Sequence, residues 1–196
     1  DIFVLQYKRN LSKRINKNKL NNFDKETELI NMMSKNDSFI DVSHLNKIIK
    51  DYHISQENQR EYYTIYEPSI EAYIINATFG IWNLQTCYTK KNYYSSNFKK
   101  LYENFKDTYH DFYKAKYEGR NLQYFDNYNT CVLHYNFKSQ TYILNCSIEI
   151  ADFLYQFNSC DSIPKDPNID KSLIKYMLKS RLIIEDDNAY IFNEKC

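Results

Sequence analysis

The sequence predicts an α+β chain in three parts: a helical segment at 1–66, a small α/β sheet domain at 67–146 and a winged helix at 147–196. Three observations predict it. Up to residue 66, apolar residues recur at i, i+3, i+4 and i+7, the spacing of core-facing helices. After Pro68 the period drops to two, the mark of strands. After Cys146 it returns to the helical value, and a gap, a second helix and a two-stranded ribbon follow.

Each element has its own signature. Phe3, Tyr7, Leu11 and Ile15 recur at i+4 and predict a helix over about 2–17, with Lys8, Arg9, Lys13, Arg14 and Lys17 on its other face. Asn21-Asn22 breaks it, and Asp24 is placed to cap the next helix, about 25–35, which carries Leu29, Ile30, Met32 and Met33. Leu45, Ile48, Ile49 and Tyr52 predict a third helix over about 41–52, starting near Asp41 or Ser43. Residues 56–68 are polar, with a short helix around 57–63. Ile70, Ala72 and Ile74 alternate with Glu71, Tyr73 and Ile75, predicting a strand over about 70–77, with Trp82 in the turn beyond. Phe98, Leu101, Tyr102, Phe105, Tyr109, Phe112 and Tyr113 form one stripe of a helix over about 95–115, which Gly119 stops. Strands are predicted over about 121–126, 130–137 and 140–145. Ile148, Ala151, Phe153, Leu154 and Phe157 predict a helix over about 147–158. Pro164 and Pro167 forbid a regular helix between them, and Asp170 caps one over about 169–179. Leu182-Ile183-Ile184, a turn at 186–188 and Tyr190-Ile191-Phe192 form the ribbon.

Composition narrows the function classes. The 196-residue chain is 43% hydrophobic, yet its mean hydropathy is −0.70. Its 20 tyrosines and 12 phenylalanines reconcile the two, since tyrosine supplies apolar area but scores as polar. A core of this kind needs partners for its phenol hydroxyls. With 2 glycines there is no glycine-rich phosphate loop. A net charge of +1 points toward neither nucleic acid nor membrane, and there is no membrane-length apolar run or signal-peptide pattern. Cys87, Cys131, Cys146, Cys160 and Cys196 are odd in number and contain no C-x2-C pair. That pattern predicts reduced thiols, a cytoplasmic or nuclear location, and no zinc knuckle. The chain begins at Asp1 already in helical register, as a piece of a longer protein would.

Catalytic constellations are missing from the pattern. His44, His53, His110 and His134 lie far apart and show no metal spacing, so no metal and no cofactor are expected. The cysteines have no marked thiolate environment. Asp186-Asp187 sits in a predicted turn, where such residues form turns. Two readings remain open from the residues alone. Lys171, Lys175 and Lys179 recur at i+4 on the last helix, as on a nucleic-acid-binding winged helix. Alternatively, a small sheet with a free edge accepts a strand from another chain.

Six blocks in order resemble the C-terminal half of a cullin, the scaffold of multi-subunit RING ubiquitin ligases. Phe3, Tyr7, Leu11, Arg14 and Ile15 fit the last helix of the cullin four-helix bundle, with Ser12 at the usual alanine. The family pattern E-x3-I-x14-L-x2-M-F-K-D-x3-S runs without a gap onto Glu26, Ile30, Leu45, Ile48, Ile49, Lys50, Asp51 and Ser55. Residues 74–82 resemble the family strand that ends in an aromatic, Trp and Pro, with Asn83 in place of the proline. Phe112, Tyr113, Lys116, Gly119, Arg120 and Leu122 match F-Y-x2-K-x-x-G-R-x-L, with Tyr124 after it. Ser147 to Asn158 and Tyr190-Ile191-Phe192-Asn193 match the remaining two. Short loops before Ile70, after Phe137 and after Leu182 are similar to those of the cullin-like subunit of the anaphase-promoting complex. Both subtypes stay open.

The resemblance implies that residues 1–66 are the end of a four-helix bundle and the helices after it. It implies a scaffold, not an enzyme. A RING-box-type protein would thread a strand into the sheet, with Tyr73, Ile75, Ala77, Trp82, Leu122, Tyr124, Leu133 and Tyr135 as the contact residues. A ubiquitin-conjugating enzyme would be drawn by the basic patch of Lys8, Arg9, Lys13, Arg14 and Lys17. A substrate adaptor would bind through regions outside this chain. No membrane partner is expected, and the charge balance argues against the nucleic-acid alternative.

Overall fold

The computed structural model describes residues 2–17, 22–36, 41–84, 96–137 and 139–194. Its helices and small sheets make an α+β chain. Two compact units emerge: Asp1–Cys87 with Phe105–Gln123, and Tyr88–Asn104 with Tyr124–Cys196.

The first unit holds α1 (Ile2–Asn16), α2 (Phe23–Asn36), α3 (Ser43–Ile65) and the later part of α4 (Ser96–Lys116). α1 buries Val4, Leu11 and Ile15 against Ile30 of α2 and Leu45, Ile48 and Ile49 of α3, with Trp82 closing the cluster. Asn22, read from sequence as a breaker, caps α2: its Oδ1 accepts the Lys25 N–H at 3.0 Å. A second cluster in this unit is aromatic. Tyr62, Phe105, Tyr109, Phe112 and Tyr113 pack together, with Tyr62 and Tyr109 almost fully enclosed.

Three sequence expectations change here. α3 runs unbroken through Ile65, joining the two helices expected over 41–52 and 57–63. Between Ser43 and Glu67 there is neither glycine nor proline, so nothing stops it. Its polar stretch is a working face rather than a linker. The strand expected over 70–77 is extended but joins no sheet. Its hydrogen bonds go to α3 side chains instead of to another strand. The strand expected over 121–126 is likewise irregular and leads into a single 3-10 turn at Asp126–Tyr128. That turn closes through Tyr128 N–H on Phe125 O at 3.1 Å and Asn129 N–H on Asp126 O at 3.0 Å.

The second unit holds the start of α4, the hairpin β1 (Thr130–Phe137) and β2 (Gln140–Ser147), then α5 (Ile148–Tyr155), β3 (Ser162–Pro164), α6 (Lys171–Lys179), β4 (Ile183–Glu185) and β5 (Ala189–Phe192). β1 and β2 pair antiparallel from Thr130↔Ser147 to Phe137↔Gln140. The other sheet has the order β3-β5-β4. Pro164 is tolerated because β3 is an edge strand. Ile150, Ala151, Phe153 and Leu154 of α5 pack on Ile163, Ile174, Met177 and Ile183. The helix expected over 147–158 ends in a 3-10 turn at Gln156–Asn158.

α6 is bounded as its sequence predicts. Asp170 Oδ1 accepts both the backbone N–H and the hydroxyl of Ser172 at 2.7 Å. At the other end, Leu182 N–H reaches Met177 O at 2.9 Å and Arg181 N–H reaches Leu178 O at 3.0 Å, a Schellman motif. The motif forces Arg181 to φ +56, a region costly for any residue with a Cβ. Arg181→Gly is therefore expected to stabilise the second unit by about 0.5 kcal/mol, the relief of strain exceeding the added unfolded-state entropy. Thermal denaturation followed by near-ultraviolet circular dichroism checks the sign.

Candidate partner-binding surface

The extended segment 72–78 runs along α3, held by side chains that take the place of a neighbouring strand. Thr78 N–H donates to Asp51 Oδ2 at 2.9 Å and Asn76 N–H to Ser55 Oγ at 2.8 Å. Ile74 N–H donates to Gln59 Oε1 at 3.1 Å and Ala72 N–H to Tyr63 Oη at 2.6 Å. The Tyr63 hydroxyl donates back to Ala72 O at 3.0 Å. Acceptors at 51, 55, 59 and 63 thus meet donors at 78, 76, 74 and 72. In sequence the signal for this set is a polar stripe at i+4 spacing along one helix. Sequence reasoning missed it by ending one helix near 52 and starting another near 57, which breaks the stripe that the single helix α3 carries.

Asp51 anchors the end of the segment. Its carboxylate is 3% exposed and accepts from Thr78 N–H, from Thr78 Oγ1 at 2.9 Å and from Trp82 Nε1 at 2.8 Å, with Lys47 Nζ at 3.4 Å. A second polar knot sits midway. Asn76 Oδ1 accepts from Asn58 Nδ2 at 2.9 Å and from Tyr109 Oη at 2.7 Å, while Tyr117 Oη donates to Asn58 Oδ1 at 3.0 Å. Both faces of the segment are covered. Ile70, Ala72 and Ile74 pack on the aromatic cluster, and Ile75 and Ala77 on the α1–α3 cluster. One edge is left. Successive backbone groups of an extended chain point to opposite edges. The N–H and C=O of Tyr73, Ile75 and Ala77 therefore face away from α3, and no described residue bonds them.

The residues that sequence reasoning assigned to a RING partner fall in both units. Tyr73, Ile75, Ala77, Trp82 and Leu122 lie in the first, and Tyr124, Leu133 and Tyr135 in the second. Tyr73 is half-buried, and burial pushes its phenol above the usual tyrosine range. Trp82 is a core residue at 3% exposure, and Leu122 packs on the aromatic cluster. Tyr124 is exposed. Leu133 packs toward the second unit's core, and the Tyr135 ring meets Phe192 edge-on at 4.7 Å.

Of the basic residues, Arg9, Lys13 and Lys17 are exposed in a row at i+4 spacing. Lys8 Nζ lies 3.2 Å from His44 Nδ1. Arg14 is committed elsewhere: its Nη2 holds Glu26 Oε1 at 2.5 Å, and Tyr7 donates to the other Glu26 oxygen. Burial, reinforced by Glu26, pushes the Tyr7 phenol up to about 12.

No group of three or more His, Cys, Asp or Glu side chains among the described residues is arranged to hold a metal. Among the same residues no helix is long and apolar enough to cross a membrane. Cys131 and Cys146 face each other across the hairpin, and burial pushes their thiols up to about 11 and about 12. A thioester-forming nucleophile needs the opposite shift. Cys131 and Cys146 are expected to alkylate about ten-fold or more slowly than exposed Cys160 at pH 8, since the thiolate is the reactive species. Peptide-resolved iodoacetamide labelling measures this.

The family model of the cullin alpha+beta domain matches residues 77–192, more than half of the chain. A protein named Cullin-3 from Schizosaccharomyces pombe is 25% identical over 193 residues, covering 92% of this chain and 24% of its own length. Cullin-4 from Dictyostelium discoideum is 26% identical over 162 residues, covering 81% of this chain and 20% of its own. The chain spans about a quarter or less of the relatives it matches.

Proposed function

The chain belongs to the cullin family, and on that footing we propose that it is a non-catalytic scaffold segment of a RING-type ubiquitin ligase. The observation that carries the reading is the 72–78 segment, packed on both faces, bonded along one edge and open along the other. Such an edge accepts a strand: backbone bonds give affinity, and alternate side chains give register. A RING-box-type protein supplies that strand and brings a charged ubiquitin-conjugating enzyme with it. Catalysis then comes from proximity and orientation, with no reacting group on the scaffold.

Arg9, Lys13 and Lys17 form the surface that draws the conjugating enzyme. The order α5, β3, α6, β4, β5 is that of a winged helix in which the usual middle helix is absent. The scaffold is read in three parts, residues 1–66, 67–146 and 147–196. Adaptor and substrate bind elsewhere on the protein, in the cytoplasm or nucleus. The proposal is the same for an ordinary cullin and for the cullin-like subunit of the anaphase-promoting complex.

Titration of the chain with a RING-box-type protein tests it, and saturable binding is expected. Arg9→Glu with Lys13→Glu is expected to leave that binding unchanged and to slow association of the conjugating enzyme, most at low salt. Duplex DNA binding through α6 with no affinity for any RING-box protein would overturn the proposal.

A further inference from the structure

We propose that Asp51, Ser55, Gln59 and Tyr63 act together as a substitute strand, which orders residues 72–78 before any partner arrives and fixes which edge stays open. The periods match. Four residues of α-helix advance about 6 Å, and two residues of extended chain about 6.7 Å. Each fourth residue of α3 therefore meets each second residue of the segment. Over the three steps from 78 to 72 the mismatch reaches about 2 Å. Side-chain reach adjusts in the matching direction, from Ser55 through Gln59 to Tyr63, as the segment leaves the helix. The Tyr63 hydroxyl both accepts from and donates to Ala72, as the residues of a hydrogen-bonded antiparallel pair do for each other.

Two consequences follow for binding. An extended segment with nothing beside it would have to be ordered on docking, a cost that lowers affinity. Here that ordering precedes the encounter. The substitute strand also sets register. Only Tyr73, Ile75 and Ala77 have backbone groups to exchange, so a partner strand displaced by one residue meets none. The four α3 residues touch no partner; they are positioning residues. This inference rests on the strand-accepting role proposed above, but its central claim concerns the free chain.

Amide hydrogen exchange at single-residue resolution tests it. In the free 196-residue chain, the amides of Ala72, Ile74, Asn76 and Thr78 are expected to exchange at least ten-fold more slowly than those of Tyr73, Ile75 and Ala77. Gln59→Ala, at a half-buried site, is expected to speed exchange at Ile74 selectively; Gln59→Glu, which keeps the acceptor, restores protection. Equal exchange along 72–78 in the free chain overturns the inference whatever the partner does. Alternating protection that an added RING-box protein leaves unchanged at Tyr73, Ile75 and Ala77 upholds the substitute strand and removes the docking role instead.

Discussion

Asp51→Ala is expected to destabilise the first unit by about 3 kcal/mol. The buried carboxylate gathers three donors: the Thr78 amide, the Thr78 hydroxyl and the Trp82 indole. Truncation orphans the first at a half-buried position and the last inside the core. An unmade bond there costs more than the net value of a made one, because the donor keeps its desolvation penalty. The hydroxyl is free to rotate to another acceptor and adds less. Lys47, about two-fifths exposed, returns to solvent and contributes little. Asp51→Asn keeps the volume and one acceptor oxygen but turns an amide NH2 toward these donors, so about half the loss is expected. The chain has a single tryptophan, and it is the indole that Asp51 holds. Urea unfolding followed by tryptophan fluorescence therefore reports on this unit directly. A loss below about 1 kcal/mol for Asp51→Ala would mean that the 78–82 turn is held by apolar packing alone.

The helices were legible because burial writes itself as a period. Leu45, Ile48 and Ile49 lie on the buried side of α3, and Asp170 caps α6 as its sequence predicts; α2, by contrast, starts one residue before Asp24 and is capped by Asn22. The β1–β2 hairpin was legible for the same reason, since alternation over 130–137 and 140–145 leaves Cys131, Leu133 and Leu144 facing the core. Alternation fails as a guide at 70–77. It reports an extended chain with two distinct faces, and says nothing of what occupies the edges. There the neighbour is a helix, and the residues that make it one are polar. Ser55, Gln59 and Tyr63 read individually as surface positions. Their shared role appears only when donors two apart are set against acceptors four apart. The resemblance took in Asp51, Ser55 and residues 74–82 but neither Gln59 nor Tyr63, so it did not point to the four acceptors as a set.

Proline substitution separates the two edges of the segment. Ile75→Pro is expected to abolish binding of a RING-box-type protein while leaving the chain folded; Ile74→Pro is expected to damage the fold itself. Proline removes one N–H and fixes φ. At position 74 the lost donor is the one that Gln59 accepts, and the ring would stand against that amide. At position 75 the N–H faces the open edge, so no internal bond is lost. The restriction that proline places on its predecessor is harmless, because residue 74 is already extended. Each change also deletes a packed isoleucine, so Ile74→Ala and Ile75→Ala are the references. Relative to these, Ile74→Pro should cost at least about 2 kcal/mol more, and Ile75→Pro less than about 1 kcal/mol. Binding reads in the opposite sense. Strand addition uses backbone groups, so Ile75→Ala should retain most of its affinity, whereas Ile75→Pro loses a ladder donor and obstructs the approaching chain. A drop of about a hundredfold or more is expected, given one lost bond and displaced neighbours. If folded Ile75→Pro binds as tightly as Ile75→Ala, the partner strand does not lie on this edge. If Ile75→Pro unfolds as readily as Ile74→Pro, the edge is not free.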